Sequence, residues 1–413
     1  MVSQLKRELA GLLVASRLWA SRRPVDQTRA RQAREAALLA NHQRYVSSVP
    51  VYGRLAAELG HTEVDDVATI IDELLVGVSL FKSYDDALLA AGDFAGLTAW
   101  VGEVSTLTPA PRLDGVGSLD DWRARMQDAG VVITVSSGTS GRPSLVPRDP
   151  ATMAALQNNG RCYSMLAWGG YADSQPDFDC LLVASPGGGQ GLQAVATGLA
   201  QVAGSSLFIT PDGDRREHPL REALAAAAEL VEMAHRERRQ LLVFGAPAAV
   251  AHLCTAMLEA GRHLALPDDA LLVTGGGWKA GWAGTRPEDF PRLLEDALGL
   301  AAPQVMDVYG LSECNAYLLR CAEGRYHVPP VLEAAVVDED LRARPGTDVT
   351  GLIALLDPFA FSYPGFLLTG DWGRLVRTAC RCGLEGPGFV GEIVRAPGQE
   401  AKGCAGVGAG VLA

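Results

Sequence analysis

The octapeptide Ser136-Ser137-Gly138-Thr139-Ser140-Gly141-Arg142-Pro143 follows the apolar, β-branched run VVITV. Four hydroxyls and a series of backbone N–H groups thus close a buried strand, while Gly138 and Gly141 permit φ > 0 and close approach of the chain to a ligand. Such a loop suits a polyphosphate. It lacks the spacing and the Lys of the G-x-x-x-x-G-K-[ST] loop, so any phosphate grip here is of another kind. A plain polar turn from strand to helix is the other reading of the same residue types.

Two further short runs carry chemistry. Tyr309-Gly310-Leu311-Ser312-Glu313 places an aromatic ring, a hydroxyl and a carboxylate within five residues, and Thr369-Gly370-Asp371 follows an apolar strand. A third set is Cys321-x5-His327 with Cys380-x-Cys382. Three thiols and an imidazole are a donor set for structural Zn²⁺ if the two segments meet. Against that, C-x-C is tighter than the usual two-residue gap, and His327 before Pro329-Pro330 could simply orient a turn. An occupied centre would clamp the following β-rich region to the core without touching catalysis.

The loop at 136, the Tyr309 run and the Thr369 run stand in the order and approximate spacing of three motifs of the adenylate-forming superfamily, which the chain resembles. This superfamily holds acyl-CoA synthetases, luciferases and peptide-synthetase adenylation domains; its motifs read [ST]-S-G-T-[ST]-G-x-P-K, Y-G-x-[ST]-E and T-G-D. The resemblance covers roughly residues 110 to 400. Gly275-Gly276-Gly277-Trp278-Lys279, CAEGRYHVPP at 321, LLDPFAFSYP at 355 and Lys402-Gly403-Cys404-Ala405 are similar to the acyl-protein synthetases of bacterial luminescence and to short phenylacetate-CoA-ligase-like enzymes.

The resemblance implies roles. Ser136, Ser137, Gly138, Thr139, Ser140 and Gly141 would cradle ATP phosphates. Tyr309-Gly310 would stack on adenine, with Asp307 and the glycines Gly275 and Gly276 beside the nucleotide, and Asp371 would hold the ribose hydroxyls. Ser312 would contact the α-phosphate, and Glu313 would ligate Mg²⁺ as a hard oxygen donor. Gly187 and Gly188 of PGGGQG, with Gly275, Gly276, Gly277 and Trp278, would line the acyl pocket; tight turns are the plainer reading of these glycines. The implied reaction is displacement at the α-phosphorus by a substrate carboxylate, which needs positioning and charge neutralisation.

The chain departs from the family pattern in two places. Ser144 stands where the loop ordinarily ends in Lys, which removes a point charge; Arg142 or Arg148 is the expected replacement. Family members also continue past a hinge into a lid domain with a catalytic Lys, and this sequence ends near the hinge, so the expectation is a chain without that lid. In the luminescence enzymes a Cys near the C-terminus accepts the acyl group, and Cys404 falls in a matching context. An inert Cys in a frayed end is the alternative.

The elements that must position these residues follow from periodicity. Residues 1–110 show apolar spacings of three and four and predict a helical region. Residues 111–332 alternate short β-type runs (VVITV, LLVAS, SLFIT, LLVFGA, LLVTGGG, QVMDVYG) with helical stretches such as LREALAAAAELVEMAHRERR. They predict an α/β core with a parallel or mixed sheet covered on both faces. Residues 333–400 predict a small β-rich subdomain, and 401–413 a flexible Gly- and Ala-rich tail. The fold expected is the large α/β domain of adenylate-forming enzymes.

Composition bounds the function. The 413 residues, 48% hydrophobic and 20% charged, with a net charge of −12, make a globular chain and argue against a nucleic-acid binder. No window approaches the roughly 18 to 20 apolar residues of a bilayer span. Eight Cys in this length do not form a secreted disulfide framework, so a cytoplasmic protein with mostly reduced thiols is expected. The leading reading is ATP- and Mg²⁺-dependent activation of an aryl, fatty or polyketide-type acid in secondary metabolism. The acyl group would then pass to a thiol, a carrier protein or a partner reductase. CoA or amide ligation is the enzymatic alternative, and a nucleotide-binding scaffold without turnover the other. The apolar N-terminal helices would serve a homodimer.

Overall fold

The computed structural model describes residues 2–136, 142–167, 177–185, 191–210, 217–278 and 285–396. The helical region holds α1 (Val2–Ala20), α2 (Gln27–Ser48), α3 (Pro50–Glu58), α4 (Val67–Glu73), α5 (Asp86–Ala91) and α6 (Phe94–Val104), interrupted by the two-residue strand β1 (Val76–Gly77). Their starts are set locally: Asp26, Asp66, Asp85 and Asp93 each accept a backbone N–H of the first turn, which satisfies donors the helix cannot.

Helix α7 (Leu119–Asp128) leads to a hairpin of β2 (Val132–Val135) and β3 (Leu145–Arg148). The series then runs α8 (Pro150–Ala167), β4 (Phe178–Val183), α9 (Gly191–Ala200), β5 (Ser206–Phe208), α10 (Glu217–Glu237), β6 (Gln240–Gly245), α11 (Pro247–Glu259), β7 (Leu271–Gly275), α12 (Phe290–Leu298) and β8 (Val305–Tyr309). Strands β9 (Leu318–Arg320), β10 (Arg325–His327), β11 (Glu333–Val337), β12 (Asp348–Leu356), β13 (Phe366–Val376) and β14 (Gly388–Arg395) complete the described chain.

Strands β4 and β6 to β8 pair in parallel, with β5 on the outer edge. Every residue of β4 and β7 is buried. That is why FDCLLV and LLVTG read as continuous runs without polar alternation: helices cover both faces. One face packs on α10, α11 and α12 through Leu181, Val243, Leu253 and Leu294. The other packs on α1, α8 and α9 through Leu182, Phe244, Leu156, Val195 and Trp19.

One expectation is corrected. VVITV does not open the parallel sheet: β2 pairs only with β3, antiparallel, as a separate two-stranded unit. The β-rich region beyond 333 shares its sheet with the α/β core. The order β11-β12-β13-β14-β10-β9-β8-β7-β6-β4-β5 is one hydrogen-bonded sheet of twelve strands, with β1 of the helical region parallel to β13. The sheet therefore runs through the helical region, the α/β core and the β-rich region alike. Helices α2 and α3 roof its antiparallel half, where Tyr45 and Tyr52 meet Phe366 edge to face. No described helix is long and apolar enough to cross a membrane.

Candidate nucleotide site

The site forms where β8 ends and β13 bends. Tyr309, the last residue of β8, donates its hydroxyl to Asp371 Oδ2 at 2.8 Å, bringing the two motifs together across 62 residues of chain. Asp371 is paired in register with Arg395 of β14, whose Nη1 lies 3.2 Å from Oδ1. The Thr369 hydroxyl accepts the Asp371 N–H and donates to Ile353 O, fixing the turn from within. Burial pushes the Asp371 carboxyl above the usual carboxylate range, and Arg395 and the Tyr309 hydroxyl pull it partly back.

Asp307, two residues upstream, is engaged at both oxygens: Thr274 Oγ1 donates at 3.0 Å and the Tyr326 hydroxyl at 2.7 Å. It ties β7, β8 and β10 together beneath the site. Burial raises its carboxyl as well, offset by those two hydroxyls. Gly310 is required for packing, since a Cβ there would run into the Tyr317 ring. Gly191, the first residue of α9, sits against the same Tyr317 and against Ser312. The N-terminus of a ten-residue helix thus opens beside Ser312, where its dipole favours negative charge.

Glu313 is buried at 6% exposure. Burial drives its carboxyl up, while Ser144 and the charges of Arg148 and Lys82 draw it down. Ser144 Oγ is itself buried beside it without an aligned hydrogen bond. A buried carboxylate of this kind is a hard oxygen donor with the chemistry to take a divalent cation. Lys82 ends the short 3-10 turn Val78–Lys82 of the helical region. Nothing in its local sequence marks it as a site residue.

The expected stand-ins for the missing loop Lys are committed elsewhere. Arg142 pairs with Asp86 at 2.9 Å and lies over the Tyr84 ring. Arg148, fully buried, donates to Asn315 Oδ1, Ser312 O, the Tyr363 hydroxyl and Thr134 Oγ1. It fastens the β2–β3 hairpin to the Ser312–Asn315 segment. Asp357 completes the frame by accepting the N–H groups of Asn315 and Phe359. Arg148, Asn315, Asp357 and Tyr363 were missed as positioning residues because only tertiary contact brings them together.

Ser136 closes the neck of the loop: its hydroxyl accepts the Ser144 N–H at 3.0 Å and its own N–H bonds Ser144 O. The remaining loop residues Ser137, Gly138, Thr139, Ser140 and Gly141 lie outside the described residues, as do Gly187, Gly188 and Cys404. Gly275 ends β7 against Val308, and Gly276 (φ +82°) starts a left-handed turn that only glycine adopts without strain. Trp278 packs edge to face on Phe290, so at least part of its ring is committed to the core rather than to an open pocket. Cys321, His327, Cys380 and Cys382 do come together, at the opposite end of the same strands. A cavity of about 420 Å³ opens there too, lined by Cys321, Cys382 and Leu271, away from Tyr309 and Asp371.

Residues 124–412 match the family model described as acyl-protein synthetase, LuxE, which is more than half of the chain. The chain belongs to this acyl-protein synthetase family. Among curated proteins it is similar to the long-chain-fatty-acid–luciferin-component ligase of Vibrio harveyi, 34% identical over 173 residues, 40% of this chain and 44% of that protein. The ligase of the same description from Aliivibrio fischeri is 30% identical over 171 residues, 41% and 45% of the two chains. The matches thus span less than half the length of these relatives. Among solved structures, an open conformation of 2-hydroxyisobutyryl-CoA ligase in complex with 2-HIB-AMP and CoA covers 88% of this chain and 74% of its own, with a TM-score of 0.57 at 15% identity. The postadenylation state of that ligase gives the same TM-score and covers 89% of this chain. At such identity the likeness is one of fold, and the fold is that of adenylate-forming enzymes.

Proposed function

We propose that this chain activates a carboxylic acid with ATP and Mg²⁺, forming an acyl-adenylate and pyrophosphate. One observation supports the reading above the others. Tyr309 and Asp371, from two separate motifs, meet at 2.8 Å with the buried Glu313 four residues further along the chain from Tyr309. That is an adenosine grip beside a metal-binding carboxylate.

The residues fit their ligands. A carboxylate offers about four acceptor sites, so Asp371 can take two ribose hydroxyls while Arg395 and Tyr309 hold it in place. Glu313 requires ionisation against its burial, and Mg²⁺, when bound, supplies the positive charge that favours it. In the reaction a substrate carboxylate oxygen forms a bond to the α-phosphorus, the bond from that phosphorus to the bridging oxygen of the β-phosphate breaks, and pyrophosphate leaves with the electron pair. The protein's share is alignment and charge neutralisation: Ser312 beside the N-terminus of α9, Lys82 beside Glu313, and the hairpin neck held by Ser136 and Ser144.

The second half of the proposal concerns the acyl group. By analogy with relatives named as ligases of long-chain fatty acids to a luciferin component, the acyl group passes to a thiol, with Cys404 as first acceptor and a reductase or carrier protein as recipient. Acid-dependent exchange of labelled pyrophosphate into ATP tests the first half. Exchange with some members of a panel of fatty and aryl acids is expected, and silence across the panel contradicts it. Intact mass after incubation with ATP and acid tests the second. An acyl adduct that disappears in Cys404→Ser is expected, whereas free CoA thioester without adduct favours CoA ligation.

A further inference from the structure

At the far end of the strands that carry Tyr309 and Asp371, four side chains converge. Cys321 follows β9, His327 ends β10, and Cys380 and Cys382 lie in the connection from β13 to β14. Their ligating atoms all lie within 4.8 Å of one another. Cys321 Sγ is 3.9 Å from Cys380 Sγ, and Cys382 Sγ is 3.2 Å from His327 Nε2. A tetrahedral centre with Zn–S of about 2.3 Å and Zn–N of about 2.0–2.1 Å needs ligand atoms roughly 3.5–3.8 Å apart, and these spacings bracket that range.

The surroundings are built to hold such a cluster. Arg325 Nη1 bonds Thr378 O at 2.7 Å and Val328 N bonds Pro387 O, docking the β9–β10 hairpin on the 377–387 connection. Gly383, at φ +85°, turns the chain just after Cys382, and the Leu384 N–H points at Cys382 Sγ at 3.5 Å. Trp19 roofs the cluster: its ring centroid is 6.3 Å from that of His327, and its Nε1 bonds Glu385 O. His327 is wholly buried with Nδ1 lacking any hydrogen bond, a costly state for an imidazole kept only for packing. Its Nε2 is the nitrogen turned toward Cys382 Sγ, so a metal bond there would fix the tautomer with the proton on Nδ1. Three thiolates with one neutral imidazole around a divalent ion carry a net negative charge, and Arg22 and Arg325 stand close enough to balance it. Cys321 and Cys382 also line the adjacent cavity, which gives an ion a way in.

We propose that Cys321, His327, Cys380 and Cys382 form a Cys₃His zinc centre that locks the β9–β10 hairpin to the β13–β14 connection. Through β10 it positions Tyr326, the neighbour of His327, against Asp307 of β8. The centre therefore lies outside the nucleotide site yet steadies the strand that carries Tyr309. Thiolate-rich tetrahedral coordination selects zinc over the oxygen-seeking Mg²⁺ expected at Glu313.

The test is metal content of the full chain purified under reducing conditions, with Co²⁺ as a spectroscopic probe after zinc is stripped. One zinc per chain is expected, and Co²⁺ should give the visible bands of tetrahedral thiolate coordination. Cys380→Ser and Cys382→Ser should lose the stoichiometric zinc. His327→Cys, which supplies a fourth thiolate, should keep it, with added sulfur-to-Co²⁺ charge transfer. Should the serine variants fail to fold, Co²⁺ loading of the unaltered chain still decides. Absence of tetrahedral Co²⁺ bands, iron in place of zinc, zinc retained by a Cys380→Ser/Cys382→Ser double variant, or a native disulfide between Cys321 and Cys380 would each overturn the proposal. None of these readouts depends on pyrophosphate exchange, so failure of the nucleotide reading and failure of the zinc centre are distinguishable.

Discussion

The two ends of β8, β13 and β14 present opposite chemistries. At one end Tyr309, Asp371 and Arg395 make polar contacts around a bend, with Glu313 held dry behind them. At the other, three thiols and an imidazole gather with their ligating atoms within 4.8 Å of one another. The first end is arranged to bind and release, since its hydrogen bonds are ones a ribose or a phosphate can join. The second is arranged to stay closed. The difference teaches where rigidity comes from: Tyr326 on β10 and Asp307 on β8 join the two ends, so a locked end can steady a working one.

Breaking the closed end should have the largest effect. Cys382→Ser, or stripping with a strong chelator, is expected to lower unfolding free energy by more than about 4 kcal/mol, as loss of a structural metal does. Urea denaturation of metal-replete and metal-free protein measures it. An equal stability of the two forms would remove the contrast between the ends.

Glu313→Gln comes next. It keeps the shape and removes the charge, and the rate of pyrophosphate exchange should fall by about 10²–10³, the scale for losing one preorganised electrostatic group. Zinc content should not change.

Asp371→Asn should weaken ATP binding by roughly 10- to 100-fold, the worth of hydrogen bonds to a charged acceptor. It also sharpens the comparison through pH. The Asp371 carboxyl titrates above its ordinary range because it is buried, so ATP affinity of the unaltered chain should fall as pH drops through that raised value. The Asn variant should lack this acid-side loss. For stability the sign is reversed: the folded chain holds this proton more tightly than the unfolded one, a contribution present at low pH and lost as pH rises through the raised value. Titration calorimetry with ATP over the acid range separates the two behaviours.

Tyr309→Phe should be the mildest, since it deletes only the hydroxyl bond to Asp371 and keeps the ring. About 0.5–1.5 kcal/mol is expected, seen as less than about a tenfold rise in KM for ATP.

How far these ends were legible in the sequence differs as well. The motifs at 309 and 369 are legible through the family resemblance, which rests on fixed residue types at short spacing. The cysteine set could be read as a donor set, but whether 321 and 380 meet depends on β10 pairing with β14, which no local pattern announces. VVITV looked like a sheet strand because it is apolar and β-branched. It is a hairpin strand instead, buried through Ile133 against Trp122 and Met126 of α7 and pinned by Arg148. From the turn-rich region beyond 333, β14 returns to pair with β10. The sequence offers Arg148, with Arg142, as a replacement for the loop Lys. The burial of Arg148 among Asn315, Tyr363 and Ser312 O makes it a fastener.

The central claim is that the end holding Glu313 is a catalytic centre and the end holding Cys382 a structural one. It is tested most directly by measuring acid-dependent pyrophosphate exchange and bound zinc together in Glu313→Gln. Exchange lost with one zinc retained per chain is the predicted result. Exchange at the unaltered rate would contradict it.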